Sequence, residues 1–225
     1  MGRNLKEQHG NLIDEFTHNG ELFQTRVSSK EDKEEVNKLA NDFGSPVSTF
    51  TYLWESWDNW DSYPPLVLEK NDEKIVGFRA ATYLNSGYIN SYYVLLHEDY
   101  RGKGLGKKLF SSALKKANEI ECYRWTNKTS TDDSYGFYNG ALNLKPVGKQ
   151  GDEFIFDFSI RDLTSFEELK ESSQKKDLRI EPPMPVKRLK KYLKKADEIY
   201  LPDEVVDRHR DPEKTVLEHL EEGEI

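Results

Sequence analysis

Over the first 160 positions, apolar residues fall into short runs separated by turn-forming residues, a pattern that predicts β-strands with helices between them. Leu22 to Val27 reads as a strand. Ser28 or Ser29 is placed to cap a helix over Lys30 to Asn41, with Glu31, Asp32 and Glu34 in the first turn, where the helix dipole favours anions. An aromatic and acidic stretch, Ser45 to Trp60, ends at Pro64-Pro65. Leu66 to Lys70 and Lys74 to Leu84 form a predicted hairpin about Asn71-Asp72. After Asn85-Ser86-Gly87, the run Tyr88 to Leu96 is rich in the residues of a central strand. Leu105, Leu109, Ala113, Leu114, Ala117 and Ile120 then recur at helical spacing, with Lys107, Lys108, Lys115 and Lys116 on other faces. Further on, Glu121 to Thr126 reads as a strand and Asp132 to Gly140 as a short capped helix. Lys145 to Gly148 and Glu153 to Ile160 complete the pattern as a strand pair. The expected fold class is α/β of the mixed α+β kind, a mixed sheet with helices interspersed.

The flanks differ from this central region. Residues 1–20 lack periodicity and contain Gly10, Asn19 and Gly20, so they read as a mobile or loosely docked lead-in. Residues 161–225 read as a charged, mostly helical extension interrupted by Pro182, Pro183, Pro185, Pro202 and Pro212. Its apolar spacings (Val186, Leu189, Leu193 and Ile199, then Val216, Leu217 and Leu220) suit packing on the main domain or on another subunit, which leaves a homodimer open.

Composition narrows the function classes. Twelve Tyr, eleven Phe and four Trp are enough for a packed interior, while 33% charged residues imply a heavily solvated surface. Met1 to Glu15 is polar and no run of 18 apolar residues occurs, so neither a secretory signal nor a membrane span is expected. The single Cys122 excludes an intrachain disulfide and a Cys-rich zinc site, so no metal is expected and a cytoplasmic location fits. A net charge of −8 does not favour nucleic acid; it suits a cationic partner, and equally plain solubility. The basic run Lys187 to Lys195 is followed at once by Glu198, Asp203 and Glu204 and reads as a solvated helix face.

The chemistry concentrates in Arg101-Gly102-Lys103-Gly104-Leu105-Gly106. A strand that ends here and runs straight into an amphipathic helix places backbone N–H groups at a helix N-terminus with no side chains in the way, which suits a phosphate. Arg101, Lys103 and Lys107 add positive charge. A P-loop would need Gly-Lys-Ser/Thr, which is absent, and a dinucleotide fingerprint would need a third glycine where Lys107 stands. Arg101-x-x-Gly104-x-Gly106 resembles the R/Q-x-x-G-x-G/A signature of the GNAT N-acetyltransferase superfamily. Val94 to Arg101 resembles the family's strand-and-bulge approach to that turn, and Phe137-Tyr138 with Leu144 its later helix and turn.

The resemblance spans residues 21–160. It implies the GNAT fold, a central twisted mixed sheet flanked by helices, with acetyl-CoA as co-substrate and an amine as acceptor. The turn from Arg101 to Lys107, including Leu105, is then expected to cradle the pyrophosphate of coenzyme A. Backbone groups of Leu95 and Leu96 are expected to hold pantetheine and polarise the acyl carbonyl. Tyr138 matches the tyrosine that protonates the departing sulfur, although an aromatic residue on a short helix also packs readily as core. Thr131 stands where many relatives have asparagine touching the cofactor, so that contact is either weaker here or supplied by Asn127. Near Asn90, where some relatives carry a glutamate base, no carboxylate occurs; Ser91, Tyr92 or Tyr93 is left to order a relay water, and His97 reads as a surface loop residue. The acceptor is expected beside Trp54, Glu55, Trp57, Asp58 and Tyr92; the aromatic faces and carboxylates of residues 54–58 suit a cation and would serve equally as core and solvated face. A non-catalytic acyl-CoA-binding or interaction module of the same fold is the competing reading.

Overall fold

The computed structural model describes residues 10–42, 65–71, 74–84, 87–181 and 194–210. They fall into two compact units, one within residues 1–125 and 160–169, the other within 126–159 and 170–225.

The first unit holds β1 (Leu12–His18), β2 (Glu21–Val27), α1 (Lys33–Asp42), β3 (Leu66–Lys70), β4 (Lys74–Leu84), β5 (Tyr88–Leu96) and α2 (Leu105–Glu119), its strands ordered β1-β2-β3-β4-β5. Every neighbouring pair among them is antiparallel. The β3–β4 hairpin, the central strand β5 and the long amphipathic helix lie where the periodicity places them. α1 is preceded by a 3-10 turn, Lys30–Asp32, capped by Ser29, whose backbone N–H donates to Asp32 at 2.6 Å. Val36, Leu39 and Ala40 of α1 pack with Phe78 and Ala80 of β4 and Leu95 of β5. In α2, Leu109, Phe110 and Leu114 are fully buried, each contributing about 1.5–3 kcal/mol of hydrophobic stabilisation.

The lead-in expected over residues 1–20 is in part a strand. β1 pairs along β2, with Phe16 opposite and stacked on Phe23 at 5.9 Å. Asn19 and Gly20, both at positive φ (52° and 80°), are the two-residue turn joining the strands. Asn-Gly is the sequence best suited to such a turn, so this pair marks a hairpin and not a break in structure.

The second unit holds most of β6 (Arg124–Thr129), then α3 (Asp132–Tyr135), which widens into a π-helical turn over Gly136–Ala141. β7 (Gly148–Gln150), β8 (Glu153–Ser159), β9 (Glu198–Ile199) and α5 (Asp203–Arg210) follow, with strand order β6-β8-β7-β9; α4 (Phe166–Lys175) starts in the first unit and ends here. Within the extension, β9 pairs antiparallel with β7, and Leu201, Val205 and Val206 pack on Val147 and Ile155. Arg179 fastens this segment, donating to the carbonyls of Pro146 and Tyr200 at 3.0 Å each while its fork holds Asp177 at 2.6 and 2.8 Å. That guanidinium keeps the Asp177 carboxyl below the usual carboxylate range. The molecule is thus a mixed α/β protein whose sheet is mostly antiparallel and flanked by helices.

Candidate functional site

The glycine turn sits where β5 hands over to α2. On the way to it, β5 carries a bulge: Ala80 pairs with Tyr93 and Ala81 with Ser91, leaving Tyr92 as the extra residue. Beyond the strand, His97 N–H donates to Val76 O at 2.9 Å, and His97 Nδ1 accepts from Asp99 N–H at 3.3 Å, capping the 3-10 turn Glu98–Tyr100. His97 is therefore a loop-capping residue. Arg101 Nε then donates back to Leu96 O at 2.9 Å, tying the start of the turn to the end of the strand.

Gly102 and Gly104 lie in the left-handed region at φ 70° and 82°, and a Cβ at either would meet no atom within 4 Å. Their requirement for glycine is conformational, and the space above them is open to a ligand. Gly106 is different. A Cβ there would come within 3.4 Å of Leu96 Cδ1, while on the other side a Cβ on Gly77 of β4 would lie 2.8 Å from Leu96 Cδ2. Leu96 is held between two glycines, and this lets α2 approach the sheet closely at its first turn.

The hydrogen-bond ladder of α2 opens with Lys107 and Lys108 N–H donating to Gly104 O at 3.0 and 3.4 Å, which leaves the amides of the preceding turn outside the ladder. Residues 101–104 are exposed, as are Lys107 and Lys108. Lys103 Nζ lies 5.8 Å from the centre of the Tyr100 ring and Lys107 Nζ 4.7 Å from that of Phe166, so their ammonium groups sit over aromatic faces beside the turn. Outlying amides at a helix N-terminus, left-handed glycines and several cations together fit a pyrophosphate.

The remaining sequence candidates divide by unit. Leu95 and Leu96 end β5 in the first. Asn127, in β6 of the second, is 3% exposed, and its Oδ1 has no hydrogen-bond partner; Thr126 Oγ1 and Thr129 Oγ1 are likewise buried and unpartnered. Thr131 is the N-cap of α3, its Oγ1 accepting from Ser134 N–H at 3.3 Å. Tyr138 lies in the π-helical turn, 4% exposed, its ring stacked at 5.1 Å on Phe156 and edge-on to Phe137 at 5.3 Å. Trp54, Glu55, Trp57 and Asp58 lie outside the described residues; Tyr92 is described as backbone only. Among the described residues no cluster of His, Cys, Asp or Glu could hold a metal ion, and no helix is long and apolar enough to cross a membrane.

Two residues of β4 carry no periodic signal of their surroundings. Gly77 looked like one more residue of a strand, although a lone glycine inside a strand signals close approach. Arg79, a cation within Ile75-Val76-Gly77-Phe78-Arg79-Ala80-Ala81, is 1% exposed in the core of the first unit.

Comparison with known proteins agrees with this geometry. The sequence profile of the acetyltransferase (GNAT) family matches residues 33–141. The chain is similar to the PaiA N-acetyltransferase of Thermoplasma acidophilum in complex with coenzyme A (TM-score 0.50, 19% identity, 60% of this chain and 97% of that one). YncA of Salmonella typhimurium, solved with its cofactor acetyl-CoA, gives a TM-score of 0.50 at 15% identity over 64% of this chain and 96% of its own. A GNAT-family acetyltransferase of Staphylococcus aureus gives 0.52 at 13% identity over 62% and 99%. At these identities the likeness is one of fold. No curated protein matches the sequence. The profile match and the shared fold fall on the same region, and the chain therefore carries an acetyltransferase domain of the GNAT family over residues 33–141.

Proposed function

We propose that the chain is an N-acetyltransferase that moves the acetyl group of acetyl-CoA onto a primary amine of a small molecule, peptide or protein by direct attack. The observation that carries this reading is the turn at residues 101–106: two left-handed glycines, amides outside the helix ladder and flanking cations. These amides, with Arg101, Lys103 and Lys107, hold the pyrophosphate. Leu95 and Leu96 offer backbone groups to pantetheine and to the acyl carbonyl, where a hydrogen bond stabilises the negative charge that builds on oxygen.

Acetyl-CoA supplies an activated thioester: the amine nitrogen bonds the acetyl carbon, the carbon–sulfur bond breaks, and the sulfur leaves as a thiolate. The Tyr138 phenol gives that sulfur its proton. The proton lost by the amine leaves through water ordered near Ser91, Tyr92 or Tyr93. Asn127 and Thr131 add cofactor contacts, and Trp54, Glu55, Trp57 and Asp58 receive the cationic acceptor.

A second reading, a module that binds acyl-CoA without turning it over, draws on the packing of the Tyr138 ring among Phe137, Phe156 and Phe158. Incubation with acetyl-CoA and a panel of amines, following free thiol release, separates the two. An enzyme releases thiol, and Tyr138→Phe lowers turnover by about 10²–10⁴-fold with binding retained. Binding without turnover across the panel identifies the module. Failure to bind acetyl-CoA, with no effect of Gly104→Val on any property of the turn, sinks both.

A further inference from the structure

Arg79 is a cation buried in the core of the first unit. Its guanidinium lies between two aromatic faces, 4.8 Å from the Phe110 ring of α2 and 4.5 Å from the Trp125 ring. Nη2 donates to Ser91 Oγ at 3.1 Å, and Nε has no partner. Among the described residues no carboxylate pairs with it. A buried charge carries a large desolvation penalty, and an apolar side chain of similar volume is commonly neutral or stabilising in its place. Such a residue fits a working role better than a stabilising one.

Its contacts indicate that role. Ser91 is the residue immediately before the bulge at Tyr92, so the hydrogen bond pins the strand where its pairing changes step. Phe110 lies in the second turn of α2, five residues after Leu105. One planar group thus joins the bulged part of β5 to the helix that opens at the glycine turn, and all the residues concerned belong to one compact unit. Opposite Arg79 in the β4–β5 ladder is Val94, whose side chain is 39% exposed, one residue before Leu95.

We propose that Arg79 is a positioning residue for coenzyme A: through Ser91 and Phe110 it holds the bulge of β5 and the cradle at the start of α2 in one fixed relation. This rests on the reading of residues 101–106 as the coenzyme A cradle. Arg79 acts by fixing where the strand end and the cradle amides stand relative to one another. A cation held by two rings suits the task better than an apolar residue. It adds a directional hydrogen bond to its stacking, whereas apolar packing tolerates sliding.

The test compares wild type, Arg79→Met and Ser91→Ala, using coenzyme A itself as the probe in calorimetric titration alongside thermal unfolding. Arg79→Met is expected to melt at or above the wild-type temperature yet to bind coenzyme A about tenfold more weakly. Ser91→Ala, which removes the acceptor and leaves the buried Arg79 Nη2 unpaired, is expected to weaken binding about threefold and to lower the melting temperature by about 2–4 °C. A purely structural role would move melting and leave the affinity of the folded protein alone. Wild-type affinity in both variants overturns the proposal, as does wild-type affinity in Ser91→Ala if Arg79→Met does not fold. Wild type that fails to bind coenzyme A overturns instead the parent reading of the cradle, and the proposal falls with it.

Discussion

Arg101 Nε donates to Leu96 O at 2.9 Å, so the residue that opens the glycine turn is bonded to the residue that closes the strand before it. Arg101 is exposed, and a neutral backbone carbonyl accepts its bond; the net contribution to stability is about 1 kcal/mol or less. Its larger effect is on the shape of the turn. Arg101→Ala is expected to lower the melting temperature by no more than about 2–4 °C and to weaken coenzyme A binding about tenfold. Arg101→Lys restores the charge without the fixed Nε–H and recovers only part of that loss. Titration calorimetry of the three proteins checks the order.

Gly77 answers to the same leucine. An alanine there places its Cβ 2.8 Å from Leu96 Cδ2 and 3.2 Å from Leu68 Cβ. The leucine methyl can swing, but doing so presses it towards Gly106. Gly77→Ala is expected to destabilise by about 1–3 kcal/mol. Because the shortest approach is to the Leu96 side chain, adding Leu96→Ala should make the double variant less unstable than the sum of the singles, as denaturant unfolding of all four proteins would show. Simple additivity would mean that the crowding lies elsewhere.

Gly148 of β7 makes a different kind of approach. A Cβ there would lie 2.5 Å from Glu198 O, a backbone atom of β9 that has no rotamer to escape into. Gly148→Ala should push β9 away. The amides of Asp197 and Tyr200, which donate to Lys149 O at 2.7 Å and Val147 O at 2.9 Å, should then exchange faster with solvent. Hydrogen exchange by mass spectrometry over residues 194–206 reads this directly, while exchange in β2 to β4 should stay at the wild-type rate.

Burial pushes the Cys122 thiol up to about 12 from its ordinary value of 9.0. Between those values the folded chain keeps a proton that the unfolded chain has released, so the unfolded state binds fewer protons and stability falls as pH rises. Below pH 9 the thiol is neutral in both states and contributes no pH dependence. Unfolding midpoints should therefore drop more steeply above pH 9 in the wild type than in Cys122→Ala. The native thiol, 2% exposed, should react with a maleimide only after unfolding.

The order of elements was legible because each strand or helix carries its own period. The β3–β4 hairpin, β5 and α2 are local patterns, and the cradle is a local motif in which turn, glycines and cations all lie within seven residues. Boundaries shifted where neighbours decide them. Glu121 to Thr126 reads as a strand, yet β6 runs from Arg124 to Thr129, because Glu121 takes a positive φ at the end of α2 and the strand starts only after that turn. Asp132 to Gly140 reads as one helix, yet it widens into a π-turn around Tyr138, whose ring seats on Phe156 and Phe158 of a later strand.

By itself, then, the sequence determined the family domain, the glycine turn and the succession of elements, all set by interactions a few residues long. Only the tertiary structure decided that Leu96 would lie between Gly77 and Gly106, that Arg79 would be buried against Phe110, Trp125 and Ser91, and that Ile199 would pair with Gly148. These pairings join residues 10 to 51 positions apart. Such contacts are fixed by which faces meet when strands and helices pack, and no periodicity in the chain records which partner a side chain will find.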